Sequence, residues 1–226
     1  MAAQLLAKGS YHVLLGSRSK EKGEAALDSL RSRNLPGTVE LLVLDVTDDN
    51  TISRAAEQVE KTHGRIDMLV NDAGIAAATP PLRQQMRDAF DVNATGPAVV
   101  TETFAPLLQK STAAKPRILN ISSGAGSIAR RTDTSSPMYN YQHVQYRASK
   151  AALNMVTVCQ WVEYGPRIKV FAYCPGFTQS NFSDMNKAEN GAKSTEEGVR
   201  PAMDILEGKR DDEAGLFLHE GGLYPW

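Results

Sequence analysis

Cysteine is scarce in this chain, with two among 226 residues. Cys159 and Cys174 make no CxxC pair and sit in the apolar contexts VTVCQW and VFAYCPG. That excludes a disulfide framework and a cysteine-based zinc site, and predicts buried, reduced thiols in a cytoplasmic protein. Histidine is equally sparse: His12, His63, His143 and His219 are scattered without ligand spacing, so no metal centre is expected. No apolar run approaches the ~20 residues that cross a bilayer, which argues against a membrane partner. The opening MAAQLLAKGS is too short and too polar for a secretory leader. Basic runs are missing as well. The 25 Lys and Arg face 26 Asp and Glu, for a net charge of −1, and Arg130-Arg131 is an isolated pair expected on a solvated loop. Nucleic acid is therefore a poor partner and a small molecule a good one. No internal repeat or linker interrupts the sequence, so residues 1–226 read as one domain.

What is present alternates. YHVLLG (11–16), VELLVLDV (39–46), IDMLVNDAG (66–74), RILNISS (117–123), IKVFAYC (168–174) and GLFLH (215–219) are β-branched or continuous apolar runs. Charged and apolar residues at helical spacing separate them, in 18–34, 48–64, 83–110 and 147–164. Asp48 or Asn50 is placed to cap the second of these helices and Gly64 to end it. The third is interrupted near Gly96-Pro97. Unbroken apolar strands are covered on both faces, and the alternation predicts a doubly wound α/β fold around a parallel sheet. Ligands in such folds sit outside the carboxyl ends of strands. Two polar segments come after strand ends, 124–142 and 178–195. The second has the position of a lid, whose closure a change in protease cleavage on adding ligand would report.

The stretch YRASK sets Tyr146 and Lys150 four residues apart, on one face of a helix. A free phenol titrates near ~10, too high for proton transfer at neutral pH. A neighbouring ammonium favours the phenolate and lowers that value. Such a tyrosine can give or take a proton at a carbonyl or alcohol oxygen. The spacing alone is common by chance. Its surroundings add weight: Ser122-Ser123 end a strand and point to opposite sides, Asn93 sits in a helix interior where its amide needs partners, and CPGF turns sharply after the fifth strand.

Taken in order, LDVTD, NDAG, NATG, NISS, YRASK and CPGF resemble the short-chain dehydrogenase/reductase family across nearly the whole sequence. The helix STEEGVRPAMDIL and the ending EGGLYPW are similar to its carbonyl-reductase-like branch. The resemblance implies a Rossmann-like, three-layer α/β/α fold and an NADP-dependent oxidoreductase that reduces a small-molecule carbonyl or oxidises the alcohol. NAD is the less favoured cofactor. Tyr146 would be the proton donor, and Lys150 would lower its pKa and hold the nicotinamide ribose. Ser123 would hold the substrate oxygen, and Asn93 would support a water and proton relay. Asp45 would contact adenine, while Asn71, Ala73 and Gly74 would line the adenosine side. Pro175, Gly176 and Thr178 would flank the nicotinamide. Ser17 and Arg18 come directly after the first strand here, where NADP-preferring members place a basic residue for the 2′-phosphate; the planar fork of Arg suits that group. Substrate-facing loops would be 76–82, 124–142 and 178–195. Helices 83–110 and 147–164 would form a homodimer face, although members of this branch also occur as monomers.

Two departures stand out. Asp72 replaces a second asparagine in NDAG. More seriously, the family opens with a strand, a TGxxxGxG turn and a helix start. MAAQLLAKGSYHVLLGSRS matches only the later half of that first helix and the second strand. The first strand is central in the 3-2-1-4-5-6 order, so two neighbours are expected to be left unpaired, and the glycine turn is the usual pyrophosphate rest. The sequence is expected to be a fragment of a full enzyme, because the distal catalytic set is intact. The alternatives are that another segment or chain fills the gap, that the chain is a non-redox scaffold, or that it is a biosynthetic enzyme of the same fold doing non-redox chemistry.

Overall fold

The computed structural model describes residues 1–77 and 81–226. The apolar runs form strands β1 (His12–Ser17), β2 (Thr38–Val43), β3 (Met68–Asn71), β4 (Arg117–Ile121), β5 (Lys169–Tyr173) and β6 (Phe217–His219). Every ladder among these six is parallel. A short β7 (Gly222–Leu223), which the sequence pattern does not reveal, turns back antiparallel on β6. Helices α1 (Ala2–Ala7), α2 (Lys20–Arg31), α3 (Asp49–His63), α4 (Leu82–Phe90), α5 (Gly96–Gln109), α6 (Ile128–Thr132), α7 (Val144–Tyr164) and α8 (Thr195–Leu206) connect them. Local chemistry sets the ends. The Asp48 carboxylate accepts from the Asn50 N–H to start α3, and Gly64, at φ +72°, closes it in the left-handed region that glycine enters freely. Ser194 and Glu197 make a reciprocal capping box at the head of α8. None of the described helices is long and apolar enough to cross a membrane.

The strands fall into two hydrogen-bonded sheets, β1–β2 and β3–β4–β5–β6–β7. β1 pairs only with β2, and β3 only with β4, among the described residues, as the absence of a central strand implies. Side chains join what the ladders do not. On one face Tyr11, just before β1, and Val13 of β1, with Met68 and Val70 of β3, pack into the cluster of Leu119, Phe171, Ile205 and Leu206. On the other, Leu14 and Leu69 pack into the cluster of Ile52, Val59, Val100 and Phe104. The alternation is the period-two pattern of strands with both faces covered. Fully burying each large aliphatic here is worth ~1.5–3 kcal/mol, so the two sheets share one core from both sides.

The interruption near Gly96-Pro97 is a π-turn at Asp91–Thr95, placed between α4 and α5. Two smaller expectations are corrected. Cys159 is exposed, because it falls on the α7 face of Met155 and Val162 while Thr157 and Gln160 turn inward. Residues 124–142 are not all loop. Residues 124–126 form a 3-10 turn, α6 comes next, and the guanidinium of Arg130 lies 4.1 Å from the centre of the Tyr224 ring rather than in free solvent.

Candidate active site

The carboxyl ends of β4 and β5 and the first turns of α7 meet at Tyr146. The Ser123 hydroxyl lies close enough to the Tyr146 phenol to favour its ionised form. Ser123 also accepts from the Ala125 N–H at 3.2 Å, so the turn after β4 fixes its direction. Ser122 points the other way, donating to Asn154 Oδ1 at 2.5 Å inside the protein. Lys150, one helical turn after Tyr146, is buried, and its ammonium donates to the Ile121 carbonyl at 2.8 Å. The expected lowering of the phenol's pKa is overturned, because burial dominates at both groups. Burial pushes the Tyr146 pKa well above its usual value, with the Ser123 hydroxyl opposing, and Lys150 is not among the groups that shift it. Lys150 itself is pulled down to about 8 by burial, against the pull of Asp72. Loss of water outweighs the charge at this site because the lysine stem is drawn toward β4.

Asn93 lies in the π-turn and is fully buried. Its amide accepts from the Ile75 N–H at 2.8 Å and donates to the Ile75 carbonyl and to Ser149 Oγ, both at 2.9 Å. It therefore ties the segment after β3 to α7 beside Lys150. A π-turn inserts one extra residue in a helix and is a recurrent device at functional sites. Gly74 completes this side: a Cβ there would stand 3.4 Å from Asn93 Oδ1 and 3.6 Å from Lys150 Nζ.

The remaining positions divide. Arg18 is exposed just past β1, and its charge reaches Asp45, whose carboxylate is held low chiefly by hydrogen bonds from Thr47. Ser17 turns back to the Ser19 carbonyl at 2.8 Å. Ala73 is exposed. After β5, Pro175, Gly176 (φ +75°) and Thr178 form a tight turn in which Thr178 donates to the Pro175 carbonyl at 3.0 Å. Asn71 departs from expectation. Its side chain faces inward, donating to Thr101 Oγ1 at 3.0 Å and Asn120 Oδ1 at 2.7 Å. Asn120 in turn donates to Thr157 Oγ1 at 2.9 Å and Gln160 Oε1 at 2.8 Å. A buried amide takes protein partners because bare desolvation costs ~1–3 kcal/mol, so the Asn71 amide braces β3 against β4 instead of lining a ligand.

Across residues 1–191 the chain matches the family model described as short chain dehydrogenase. It belongs to that family. Short-chain dehydrogenase anuI of Penicillium roqueforti is 37% identical over 208 residues, covering 89% of this chain and 81% of the relative. Short-chain dehydrogenase/reductase tropE of Talaromyces stipitatus is 32% identical over 236 residues, covering 96% and 88%. The NADPH-bound carbonyl reductase from chicken fatty liver superposes with a TM-score of 0.76 at 28% identity, over 95% of this chain and 87% of that one. Salutaridine reductase from Papaver somniferum, at 23% identity and a TM-score of 0.76, shares the fold. As a short-chain dehydrogenase, the chain is an oxidoreductase of the small-molecule reductase type.

Several residues of this short-chain dehydrogenase escape a reading of the sequence. Ser149, the partner of Asn93, lies inside YRASK but is silent there. Cys174 Sγ accepts from the backbone N–H of Gly124 at 3.1 Å and of Gly176 at 3.4 Å, joining the Ser123 turn to the Pro175 turn. Phe182 packs its ring 5.4 Å from that of Tyr146. It belongs to the 178–195 segment, which Thr178–Lys193 pairing and the Asn186 amide on the Thr178 carbonyl, 2.9 Å, fold over the site. Of the loop 76–82, residues 78–80 lie outside the described residues. The nicotinamide end of the site suits the family's dinucleotide. Lys150 has three donors and, among the described residues, one acceptor, which leaves donors for a ribose diol. Finally, two histidines that look scattered come together: His12 and His63 both face Glu40.

Proposed function

We propose that this short-chain dehydrogenase is an NADPH-dependent carbonyl reductase with Tyr146 as its general acid. The observation that carries the reading is the convergence of Tyr146, Ser123 and Lys150 at the carboxyl end of β4, under Phe182. A phenol placed there can give a proton to a carbonyl oxygen as hydride arrives, or take one back from the alcohol in the reverse reaction. The nicotinamide, when bound, supplies hydride to the carbonyl carbon. Ser123 orients the substrate oxygen toward the phenol. Lys150 holds the ribose through its unspent donors, and Asn93 fixes the loop and helix on which both stand. Arg18, exposed beside Asp45, is the cation for an adenosine 2′-phosphate, and Pro175, Gly176 and Thr178 flank the nicotinamide. The reduced hydroxyl product and the oxidised cofactor balance one hydride and one proton.

Purified chain with NADPH and a panel of ketones and aldehydes is expected to show loss of NADPH absorbance. Tyr146→Phe, which keeps the ring against Phe182, is expected to lower turnover by ~10²–10⁴-fold with NADPH binding retained. Full activity in that variant would remove Tyr146 from the role of acid. A parent protein that gives no saturable NADPH binding would sink the redox reading altogether.

A further inference from the structure

We infer that His12, Glu40 and His63 form a binding site for a divalent ion of the zinc class, separate from the reductase site. His12 opens β1, Glu40 lies in β2, and His63 ends α3. The reductase residues stand beyond the carboxyl ends of parallel strands, whereas His12 stands at the amino end of β1, so the two sites lie toward opposite edges of the sheet. Glu40 Oε1 is 2.8 Å from His12 Nε2 and 3.5 Å from His63 Nε2. The three ligand atoms lie within 4.8 Å of one another. A tetrahedral ion with bonds of about 2.0–2.1 Å spaces its ligands about 3.3 Å apart, so small side-chain rotations close the set. The imidazole rings stand 5.0 Å apart between centres, tilted by 41°, and do not block each other.

The outer contacts suit an ion as well. Thr38 Oγ1 meets His12 Nδ1 at 2.6 Å. With Nδ1–H donated to that hydroxyl, Nε2 is free to ligate an ion shared with the Glu40 carboxylate. Metal-bound imidazoles are commonly oriented in this way by a hydrogen bond at the other nitrogen. Two nitrogens and one oxygen favour zinc, copper or nickel over magnesium and calcium, which take oxygen ligands. The side chains of His12, Glu40 and His63 are 37%, 44% and 26% exposed, which leaves a coordination position open to water. The ion would clip the last turn of α3 to the β1–β2 pair.

The test uses the full chain, stripped with a chelator and titrated with zinc chloride by calorimetry, with magnesium chloride as the comparison. One equivalent of zinc should bind, magnesium should give no heat, and zinc should raise the thermal midpoint. His12→Ala with His63→Ala, both near the surface, should lower zinc affinity by on the order of 10²-fold and abolish the thermal shift, with folding checked by circular dichroism. Undiminished zinc binding in that variant would place the ion on other residues and overturn the assignment. So would a parent chain that takes up no zinc. NADPH turnover by the zinc-free chain reads the reductase site independently.

Discussion

Lys150→Met should make the isolated protein more stable while removing the ammonium the reductase reading needs. Burial draws the Lys150 pKa from its ordinary 10.5 to about 8. That difference corresponds to about 3 kcal/mol of opposition to the charged form near neutral pH. Methionine fills a similar volume without charge. It also leaves the Ile121 carbonyl without its 2.8 Å donor, which costs ~1 kcal/mol. The net gain is about 2 kcal/mol. For a domain of this size each kcal/mol moves Tm by ~2–4 °C, so the midpoint should rise by about 5 °C near pH 7. Proton counts give the sign with pH. Between about 8 and 10.5 the unfolded chain keeps a proton on this lysine that the folded chain has released. Parent stability from this group therefore increases as pH rises through that window. The variant has no such slope, so its advantage should shrink by about 3 kcal/mol between roughly pH 7 and pH 10.5. Urea unfolding of both proteins at the two ends of the range, monitored by circular dichroism, measures it. A variant no more stable than the parent near neutrality, or an advantage that does not change with pH, would refute the desolvation argument.

Other outcomes are tied to single residues. Arg18→Ala should raise the KM for NADPH by ~10-fold or more and leave that for NADH nearly unchanged, since only the former carries the phosphate that a guanidinium clasps; steady-state kinetics with both cofactors checks this. Ser123→Ala should cut turnover with little effect on Tm. Its neighbour should do the reverse: Ser122→Ala strands Asn154 and should cost ~1–3 kcal/mol in a urea melt while most activity survives.

Strand positions and the parallel alternation are legible because covered strands need unbroken apolar runs, and the caps of α3 are legible because they are local. Asp48 and Gly64 act on their own helix. What depends on distance is not. Asn71 reads as a ligand-facing residue until the fold brings Thr101 and Asn120 to it. His12 and His63 look unrelated until parallel pairing sets β1 beside β2 and α3 returns across them. The Tyr146–Lys150 spacing puts both residues in the first turns of α7, but their titration depends on how much water the surrounding core removes, which no spacing encodes. The split into two sheets, with no strand between β1 and β3 among the described residues, follows the expectation from the sequence, whereas their joining through Tyr11, Val13, Met68 and Val70 is visible only in three dimensions.

The buried chain of amides from Asn71 through Asn120 to Gln160 also acts as an alignment key. Asn71 and Asn120 are direct partners in the β3–β4 ladder. Sliding β4 by one residue would present Leu119 or Ile121 to the Asn71 amide and drive Asn120 among the oily side chains under α8. Each stranded amide group would cost ~1–3 kcal/mol. The same slip would carry Ser123 about 3.3 Å along the strand axis, out of reach of the Tyr146 hydroxyl. Amides that touch no substrate thereby decide where the reacting oxygen can sit.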